Sequence, residues 1–371
     1  MVLLKAYIRD IHRYGCLEKP ELSIVIVNFN GGKLFTQQIR ELIGKLNVPS
    51  EIIIVDNASK DDSISLALSV VKDAIIKYCK TFFFSVSIIK LRKNLGPCFA
   101  YDLGVLAAKS NIIVLMNNDV IPANIDFSKL VVLYKKLKNF RIGGLTIKVL
   151  RLEDRNTIDT AGTLVDVLLF SQEYGQGAPS SRPEFNRAYY VNSIPLVFSL
   201  MGRDVFLKSG MLDPKYFAGY EDLDLSLRIQ LLGYKLLYVP YFTVYHKRGS
   251  TSGREEFRPF MSYFFARAHV YNLLTYYNIF SALIKIFIRF LLIVAYSLIS
   301  RNPFTIWFSF IKPFIHVMLN TRHFIWRRKW YKSLLVNKRA MFRNFYKGVL
   351  PLVLVIKKYN DITSKSIAKQ K

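Results

Sequence analysis

Four short apolar runs, alternating with amphipathic stretches, constrain what this chain can fold into. Leu22–Asn28, Glu51–Asp56, Ser85–Leu91 and Asn111–Met116 are β-branched or apolar almost throughout and are bounded by Asn, Asp, Gly or Lys. A strand with one wet face alternates apolar and polar residues. A continuous apolar run means that both faces are covered, as in a parallel sheet between helices. Helical periodicity over Gly32–Leu46, Asp62–Tyr78 and Gly96–Ala108 supplies the covering layers. The alternation predicts an open α/β sheet. Ligands of such sheets bind beyond the carboxyl ends of the strands. Asn28-Phe29-Asn30-Gly31-Gly32, Asp56-Asn57-Ala58-Ser59 and Asn117-Asn118-Asp119 all fall there.

From about Arg141 the alternation weakens. Arg141–Val149, Tyr189–Met201 and Lys235–Tyr245 read as further strands, and Gln172–Phe185, with Gly175, Gly177, Pro179 and Pro183, reads as a mobile loop. Beyond Arg254 the composition changes. Ile279–Ile299 is a nearly unbroken apolar run of about 21 residues, long enough to span a bilayer. Lys285 and Arg289, however, lie four apart on one helical face, and charge at that depth is costly. An in-plane helix, or a hairpin entering one leaflet, therefore competes with a span. Phe304–Leu319, broken by Pro313, is a second apolar segment, and Arg322–Lys332 mixes cations with Trp and Tyr as a headgroup-facing segment does.

The charge follows the same division. The chain carries a formal +27, and residues 255–371 hold 20 Lys/Arg against 3 acids. Anionic partners are expected. Because the cations sit in an apolar tail with few residues that read base edges, the expected partner is anionic membrane lipid, and no nucleic acid. The expected organisation is an N-terminal extension (1–21), a catalytic α/β domain (22–254) and a basic, apolar helical region associated with the membrane (255–371). Cys16, Cys79 and Cys98 show neither metal-type spacing nor a disulfide framework, which fits a cytosol-facing location. Lys5, Arg9, Asp10 and His12 interrupt the N-terminal apolar residues, so no signal-peptide core is expected.

Several polar positions can carry chemistry. Asp56, closing a buried strand, can accept hydrogen bonds from a nucleotide base or ribose, or can make an Asx-type turn with Asn57 and Ser59. Arg92-Lys93-Asn94-Leu95-Gly96 offers cations, an amide and a flexible backbone at a helix start, a cradle for a diphosphate. Asp119 can hold a hard cation, Mg2+ or Mn2+, which needs only one or two carboxylates plus substrate phosphates. His246 can add a nitrogen ligand, or serve a structural or phosphate-facing role beside Lys247 and Arg248. Glu221, Asp222 and Asp224 put three carboxylates within four residues after a Gly219-Tyr220 turn. They can cap a helix whose Asp224 pairs with Arg228 at i,i+4, or one of them can take a proton. There is no G-x-G-x-x-G and no Walker sequence, so hydride transfer and ATP hydrolysis lack their usual signatures.

In this order, these elements resemble the inverting glycosyltransferases of family 2. The likeness rests on Ser23-Ile24-Val25-Ile26-Val27-Asn28-Phe29-Asn30, Ile54-Val55-Asp56-Asn57-Ala58-Ser59-Lys60-Asp61-Asp62-Ser63, Asn94-Leu95-Gly96, Asn117-Asn118-Asp119 and Gly219-Tyr220-Glu221-Asp222-Leu223-Asp224. Gly233-Tyr234 and His246-Lys247-Arg248-Gly249-Ser250 are similar to the rhamnosyltransferase-type branch. The likeness covers about Leu22 to Thr251 and implies a GT-A fold, with a Rossmann-like, mostly parallel sheet flanked by helices. It implies a nucleotide-sugar donor (UDP-, GDP- or dTDP-linked), bound by Asn28, Asn30, Asp56, Asn57, Asn94, Gly96 and Asn118. Asp119 would end the metal motif, with His246 as a further ligand. Asp222 would be the catalytic base, with Glu221 and Asp224 orienting acceptor hydroxyls or supporting the helix. The chain departs from the pattern at Asn117, where the stricter motif has its first Asp, and metal affinity should fall with the lost charge. The activity implied is transfer of a hexosyl-type sugar, with inversion, to a lipid-linked or glycan acceptor at the cytosolic membrane face. A sugar nucleotidyltransferase is the alternative enzyme, disfavoured by the missing Gly-rich triphosphate loop. A basic membrane- or nucleic-acid-binding protein without catalysis is the other alternative.

Overall fold

The apolar runs form strands where their pattern puts them. The computed structural model describes residues 6–15, 17–78, 84–249, 258–300, 306–334 and 345. Cys16, Cys79, Ser250, Thr251, Phe304 and most of the chain beyond 334 lie outside the described residues.

The chain runs β1 (Ile8–Tyr14), β2 (Leu22–Asn28), α1 (Gly32–Lys45), β3 (Ser50–Asp56), α2 (Ser63–Tyr78), β4 (Phe84–Leu91), α3 (Pro97–Ala107) and β5 (Ile112–Asn117). It continues through β6 (Val120–Pro122), α4 (Phe127–Lys138), β7 (Ile142–Arg151), β8 (Ile158–Thr160), β9 (Thr163–Val165), β10 (Ser171–Glu173), β11 (Tyr189–Tyr190), β12 (Phe198–Gly202), α5 (Arg203–Lys208), α6 (Glu221–Leu231) and β13 (Lys235–His246). Helices α7 (Arg258–Tyr276) and α8 (Ile279–Ser300), a π-helical turn (Trp307–Ile311), α9 (Lys312–Leu319) and α10 (Thr321–Ser333) follow.

Every residue of β2 and β3 is buried, as their unbroken apolar sequences require. The main sheet has the order β1-β4-β3-β2-β5-β12-β7-β13-β11. Strands β4, β3, β2 and β5 are parallel neighbours, whereas β12 runs antiparallel to β5 and β7. The chain thus moves outward from β2 to β4 and returns to β5 on the other side of β2. That reversal opens a crevice at the carboxyl ends of β2 and β5. Helix α3 lies against these strands at Gly104, where a Cβ would stand 2.3 Å from Val25 Cγ1. The expected fold class, a mixed sheet with a parallel centre flanked by helices, is therefore observed. The sheet also takes in β1, ahead of residue 22, as an antiparallel edge strand on β4.

Two segments differ from their sequence patterns. Tyr189–Met201 is not one strand but two, β11 and β12, with residues 191–197 between them irregular and mostly buried. Side chains of α6 take the backbone groups a ladder would have used: Ser226 Oγ accepts from Ile194 N (3.1 Å), and Gln230 Nε2 donates to Asn192 O (2.7 Å). The loop expected at Gln172–Phe185 is ordered. Gly177 N donates to Ile158 O (2.9 Å) and Ile158 N to Ala178 O (2.8 Å), while Phe185 is 2% exposed in the core.

The tail helices pack on the same core as the sheet: Leu273, Tyr276, Ile286, Val317 and Tyr331 belong to one apolar cluster with Val25 and Leu223. On α8 the two cations turn toward protein. Lys285 Nζ lies 4.5 Å from the centroid of the Tyr277 ring, and buried Arg289 donates to His269 Nδ1 (2.9 Å) and Ser309 O (3.1 Å). Ser309 O is the carbonyl that Pro313, lacking an N–H, leaves without its helical donor, so Arg289 satisfies the break. The other side of α8 exposes Phe280, Leu283, Phe287 and Leu291, and Ile279–Leu298 is long and apolar enough to cross a membrane. The headgroup-facing reading of Arg322–Lys332 needs correction at two cations. Arg327 is 3% exposed and bound to Asp213 and Asp224, and Arg328 Nη1 donates to Leu274 O (2.6 Å) and Tyr277 O (2.8 Å). Carboxylates of the sheet domain hold the first, and carbonyls in and just after α7 hold the second, before lipid can.

Candidate active site

The strand ends are tied together by amides. Asn28 closes β2 and is fully buried; its Nδ2 reaches Ser63 Oγ (2.9 Å), Ser59 Oγ (3.0 Å) and, more weakly, Asp56 Oδ1 (3.4 Å). Its Oδ1 accepts from Asn118 Nδ2 (3.1 Å). Asn28 is thus the hub beneath the crevice, and its amide aligns the turns after β3 and β5. Asn57 Nδ2 donates to Asn94 Oδ1 (2.9 Å), which also accepts from Gly96 N (2.9 Å), while Leu95 N donates to Asn57 Oδ1 (2.9 Å). Gly96, at φ 82°, caps α3 and faces Phe217; a Cβ there would lie 2.9 Å from that ring. Asn30 is exposed at φ 51°, and its Oδ1 accepts from Lys60 N (2.8 Å). Left-handed backbone at Asn30 and Ala58, and again at Tyr220, clusters around this edge. Such strain needs a surrounding network to hold it. The amides supply that network.

Asn117 does not join the acids. Its Oδ1 accepts from the buried Tyr101 hydroxyl (2.9 Å) and its carbonyl from Gln38 Nε2 (2.6 Å). Asp119 meets His246 through strand register. β13 pairs antiparallel with β6, placing His246 opposite Val120, and Lys247 N donates to Asp119 O (3.0 Å). His246 Nε2 then lies 3.3 Å from Asp119 Oδ1, while Nδ1 lies 2.7 Å from Asp159 Oδ2. Arg248 completes the group, 3.3 Å from Asp159 Oδ1. Burial alone would lower the His246 pKa, but the bonds to Asp119 and Asp159 outweigh it and raise it to about 9. The two carboxylates thus favour the charged form of the ring.

Among the described residues no three His, Cys, Asp or Glu side chains are grouped to hold an ion by themselves. The Asp119–His246 pair nevertheless suits Mg2+ or Mn2+ that takes its remaining ligands from a diphosphate and water. Asp159 holds Nδ1 and so orients Nε2 toward Asp119, the outer-shell arrangement that a ligating histidine uses.

The acidic segment opens α6. Left-handed backbone at Phe217, Gly219 and Tyr220 turns the chain into the helix, and Asp222 Oδ1 accepts from Leu223 N (2.7 Å). Glu221 and Asp222 are half-buried, and their carboxyls are pushed above the ordinary range, chiefly by burial. Asp224 is fully buried and bound by Arg228, Arg327, Tyr216 and Tyr276. It supports the helix and offers nothing to an acceptor. The expected Asp224–Arg228 pair forms at 2.8 Å. Burial first, then the charges of Asp119 and Glu221, raise the Tyr101 hydroxyl pKa.

Two further acids have no sequence signal. Asp159 sits in a three-residue strand, and Glu173 at the end of another, inside the stretch that reads as a loop. Glu173 bonds Thr160 Oγ1, and burial, then the charges of Asp222 and Asp159, raise its pKa to about 7. Its bond to Thr160 ties β10 to the strand that carries Asp159. The folded state favours neutral Glu173, so wild-type protein loses stability as the pH rises from the ordinary glutamate range through 7. Glu173→Gln is expected to match wild type at pH 5 and to exceed it by about 2 kcal/mol at pH 8 in denaturant unfolding. Parallel pH curves for the two proteins would contradict the shift.

Residues 23–147 match the family model for glycosyl transferase family 2. No curated protein matches at a significant level. Similar solved structures include GalNAc-T7 with UDP, GalNAc and Mn2+ (19% identity, TM-score 0.47, covering 67% of this chain and 47% of that one). S. aureus TarS 1–349 aligns at 14% identity and TM-score 0.44, over 68% of this chain and 65% of TarS. The mannosyltransferase PcManGT from Pyrobaculum calidifontis, in complex with GDP-Man and Mn2+, aligns at 12% identity and TM-score 0.46, over 92% and 80%. The chain thus spans about half of GalNAc-T7 and just under two thirds of TarS 1–349.

Proposed function

We propose, from a glycosyl transferase family 2 domain at residues 23–147, that this protein transfers a sugar from a nucleotide-sugar to an acceptor hydroxyl, with inversion. The observation that carries this reading is the placement of two unlike groups at one sheet edge. Asp119 and His246 stand beside the strand-end amide network and are braced by Asp159, while the half-buried Asp222 opens α6 and the charges of both Asp222 and Asp159 raise the Glu173 carboxyl on β10. Nucleotide contacts come from Asn30, Asp56, Asn57, Asn94, Gly96 and Asn118, with Asn28 holding those loops in register. Asp222 takes the proton as the acceptor oxygen attacks the anomeric carbon on the face opposite the leaving diphosphate. The bond from that carbon to the diphosphate oxygen breaks in the same step, and no sugar–enzyme bond forms. Asp119 and His246 would hold a divalent cation that offsets charge on the departing diphosphate. Asp159 keeps the His246 ring oriented throughout. The test is release of nucleoside diphosphate from a panel of UDP-, GDP- and dTDP-sugars, with and without Mn2+. Release from one donor class that depends on Mn2+ is expected; no release and no binding across the panel would overturn the reading.

The rhamnosyltransferase-type likeness and a lipid-linked or glycan acceptor remain parts of the proposal. So does a position at the cytosolic membrane face, with α8 lying in the interface plane. Arg289, midway along α8, bonds His269 and lies with its guanidinium 5.7 Å from the Phe170 ring centroid. The catalytic domain therefore flanks the helix at mid-length, and a perpendicular span would draw polar protein into hydrocarbon. Phe280 and Phe287, 77% and 60% exposed, point away from that contact. Replacing both with Asp should lower the vesicle-bound fraction at least about tenfold in flotation with anionic lipid and leave thermal unfolding unchanged. Undiminished flotation would remove α8 from the anchor.

A further inference from the structure

A cavity of about 400 Å³ opens beside the β9 and β11 strands, away from the Asp119–His246 pair, and the proposed reaction has no use for it. Its size falls in the range of small-molecule sites. Tyr174, Tyr189 and Tyr190 form aromatic walls, Thr163 and Asn192 line it from within, and Arg187 stands on its rim. Tyr189 is held rigidly. Its ring stacks on Tyr238 at 4.7 Å between centroids, and its hydroxyl donates to Ala161 O (2.8 Å). Tyr190 is 51% exposed, with Lys235 Nζ 5.0 Å from its ring centroid.

The polar groups lining the cavity are unfinished. Thr163 and Asn192 are 4% and 2% exposed, yet Thr163 Oγ1 and Asn192 Nδ2 have no hydrogen-bond partner in the protein. The other polar atoms of Asn192 are occupied: Oδ1 accepts from Val165 N (3.3 Å) and the carbonyl from Gln230 Nε2 (2.7 Å). A buried amide donor or hydroxyl left unpaired is costly, and such groups are normally matched by water or ligand. Unpaired hydrogen-bonding groups behind flat tyrosine rings suit a ligand with hydroxyls around its edge and C–H groups on its face. That is the chemistry of a pyranose.

We propose that this cavity is a second, non-catalytic saccharide subsite, which holds a sugar residue of a glycan acceptor while another of its hydroxyls reaches Asp222. The proposal rests on the glycosyl-transfer reading and narrows its acceptor to a glycan. Chain connectivity supplies the link. Glu173, at the end of β10, bonds Thr160 of the strand that holds Asp159, and the next residue, Tyr174, lines the cavity.

The experiment titrates full-length protein in mild detergent with maltotriose, chitotriose and mannotriose, followed by calorimetry. Donor cleavage in the absence of acceptor is measured in parallel. Binding of at least one trisaccharide is expected, weakened about tenfold or more by Tyr190→Ala. Thr163→Val, which removes only an unpaired hydroxyl, should weaken it several-fold without lowering thermal stability. Donor cleavage should be unchanged in both variants. Donor cleavage without binding of any trisaccharide, or binding indifferent to both variants, overturns the subsite and leaves the transferase reading intact. Trisaccharide binding lost in Tyr190→Ala, with no donor turned over by wild type, keeps the sugar site and sinks the transferase reading.

Discussion

Asp222→Asn is expected to fold as wild type does and to lose transfer by about 10²–10⁴-fold, the usual contribution of a positioned base. The substitution is nearly isosteric, and an amide oxygen can still accept from Leu223 N, as Asp222 Oδ1 does at 2.7 Å. What disappears is the ability to take a proton. Donor affinity, measured by titration with the nucleotide-sugar, should therefore hold while kcat falls. The wild-type pH profile supplies a second readout. Burial raises the Asp222 carboxyl above the ordinary aspartate range, and the base must be ionised to work. Activity should accordingly fall on the acid side, through a pKa higher than that of an exposed aspartate. An Asp222→Asn enzyme with near-wild-type turnover would remove this residue from the mechanism.

Arg327→Met is expected to destabilise the protein by about 3–5 kcal/mol, the cost of leaving one half of a buried ion pair uncompensated. Arg327 comes from α10, about a hundred residues after the helix it supports, and bridges Asp213 and Asp224. Both carboxyls lie below the ordinary aspartate range despite burial, which by itself would raise them; His323 and Arg327 hold down Asp213, and Arg228 and Arg327 hold down Asp224. The network is therefore worth most above the unfolded carboxylate range, and its contribution disappears as the pH falls through the lowered pKa values. Asp224 lies in the first turn of α6, two residues beyond Asp222, so loosening it also displaces the proposed base. The single variant should lose both denaturant stability and turnover. Adding Asp224→Asn should cost further stability, because it takes from buried Arg228 the carboxylate it pairs with at 2.8 Å. If Arg327→Met unfolds at the wild-type denaturant midpoint, α10 is not holding α6.

Asp222 and Arg327 differ in how far local sequence exposes them. Asp222 is visible in a linear reading because three acids after a Gly-Tyr turn are unusual in one helical turn. Arg327 is not. Among Trp326, Arg328 and Lys329 it reads as one more interfacial cation, and only the proximity of Asp213 and Asp224 turns it inward. The same contrast separates Asp119, at the end of an apolar run, from Asp159 and Glu173, which end or occupy three-residue strands too short to show a period. The segment 172–185 read as a loop because Gly and Pro break periodicity; Phe185 and the backbone bonds to Ile158 order it all the same.

The linear order of residues by itself determined the parallel centre of the sheet, because a strand covered on both faces must be apolar at nearly every position. It also determined which strand ends are polar, and hence which edge can hold a ligand. Tertiary structure alone decided how the acids are shared out. β13 pairing with β6 delivers His246 to Asp119, Asp159 orients that histidine, and α10 commits Asp224 to support. The physical reason is range. Burial and periodicity are local properties of a segment, whereas a carboxylate's role depends on which distant charge reaches it.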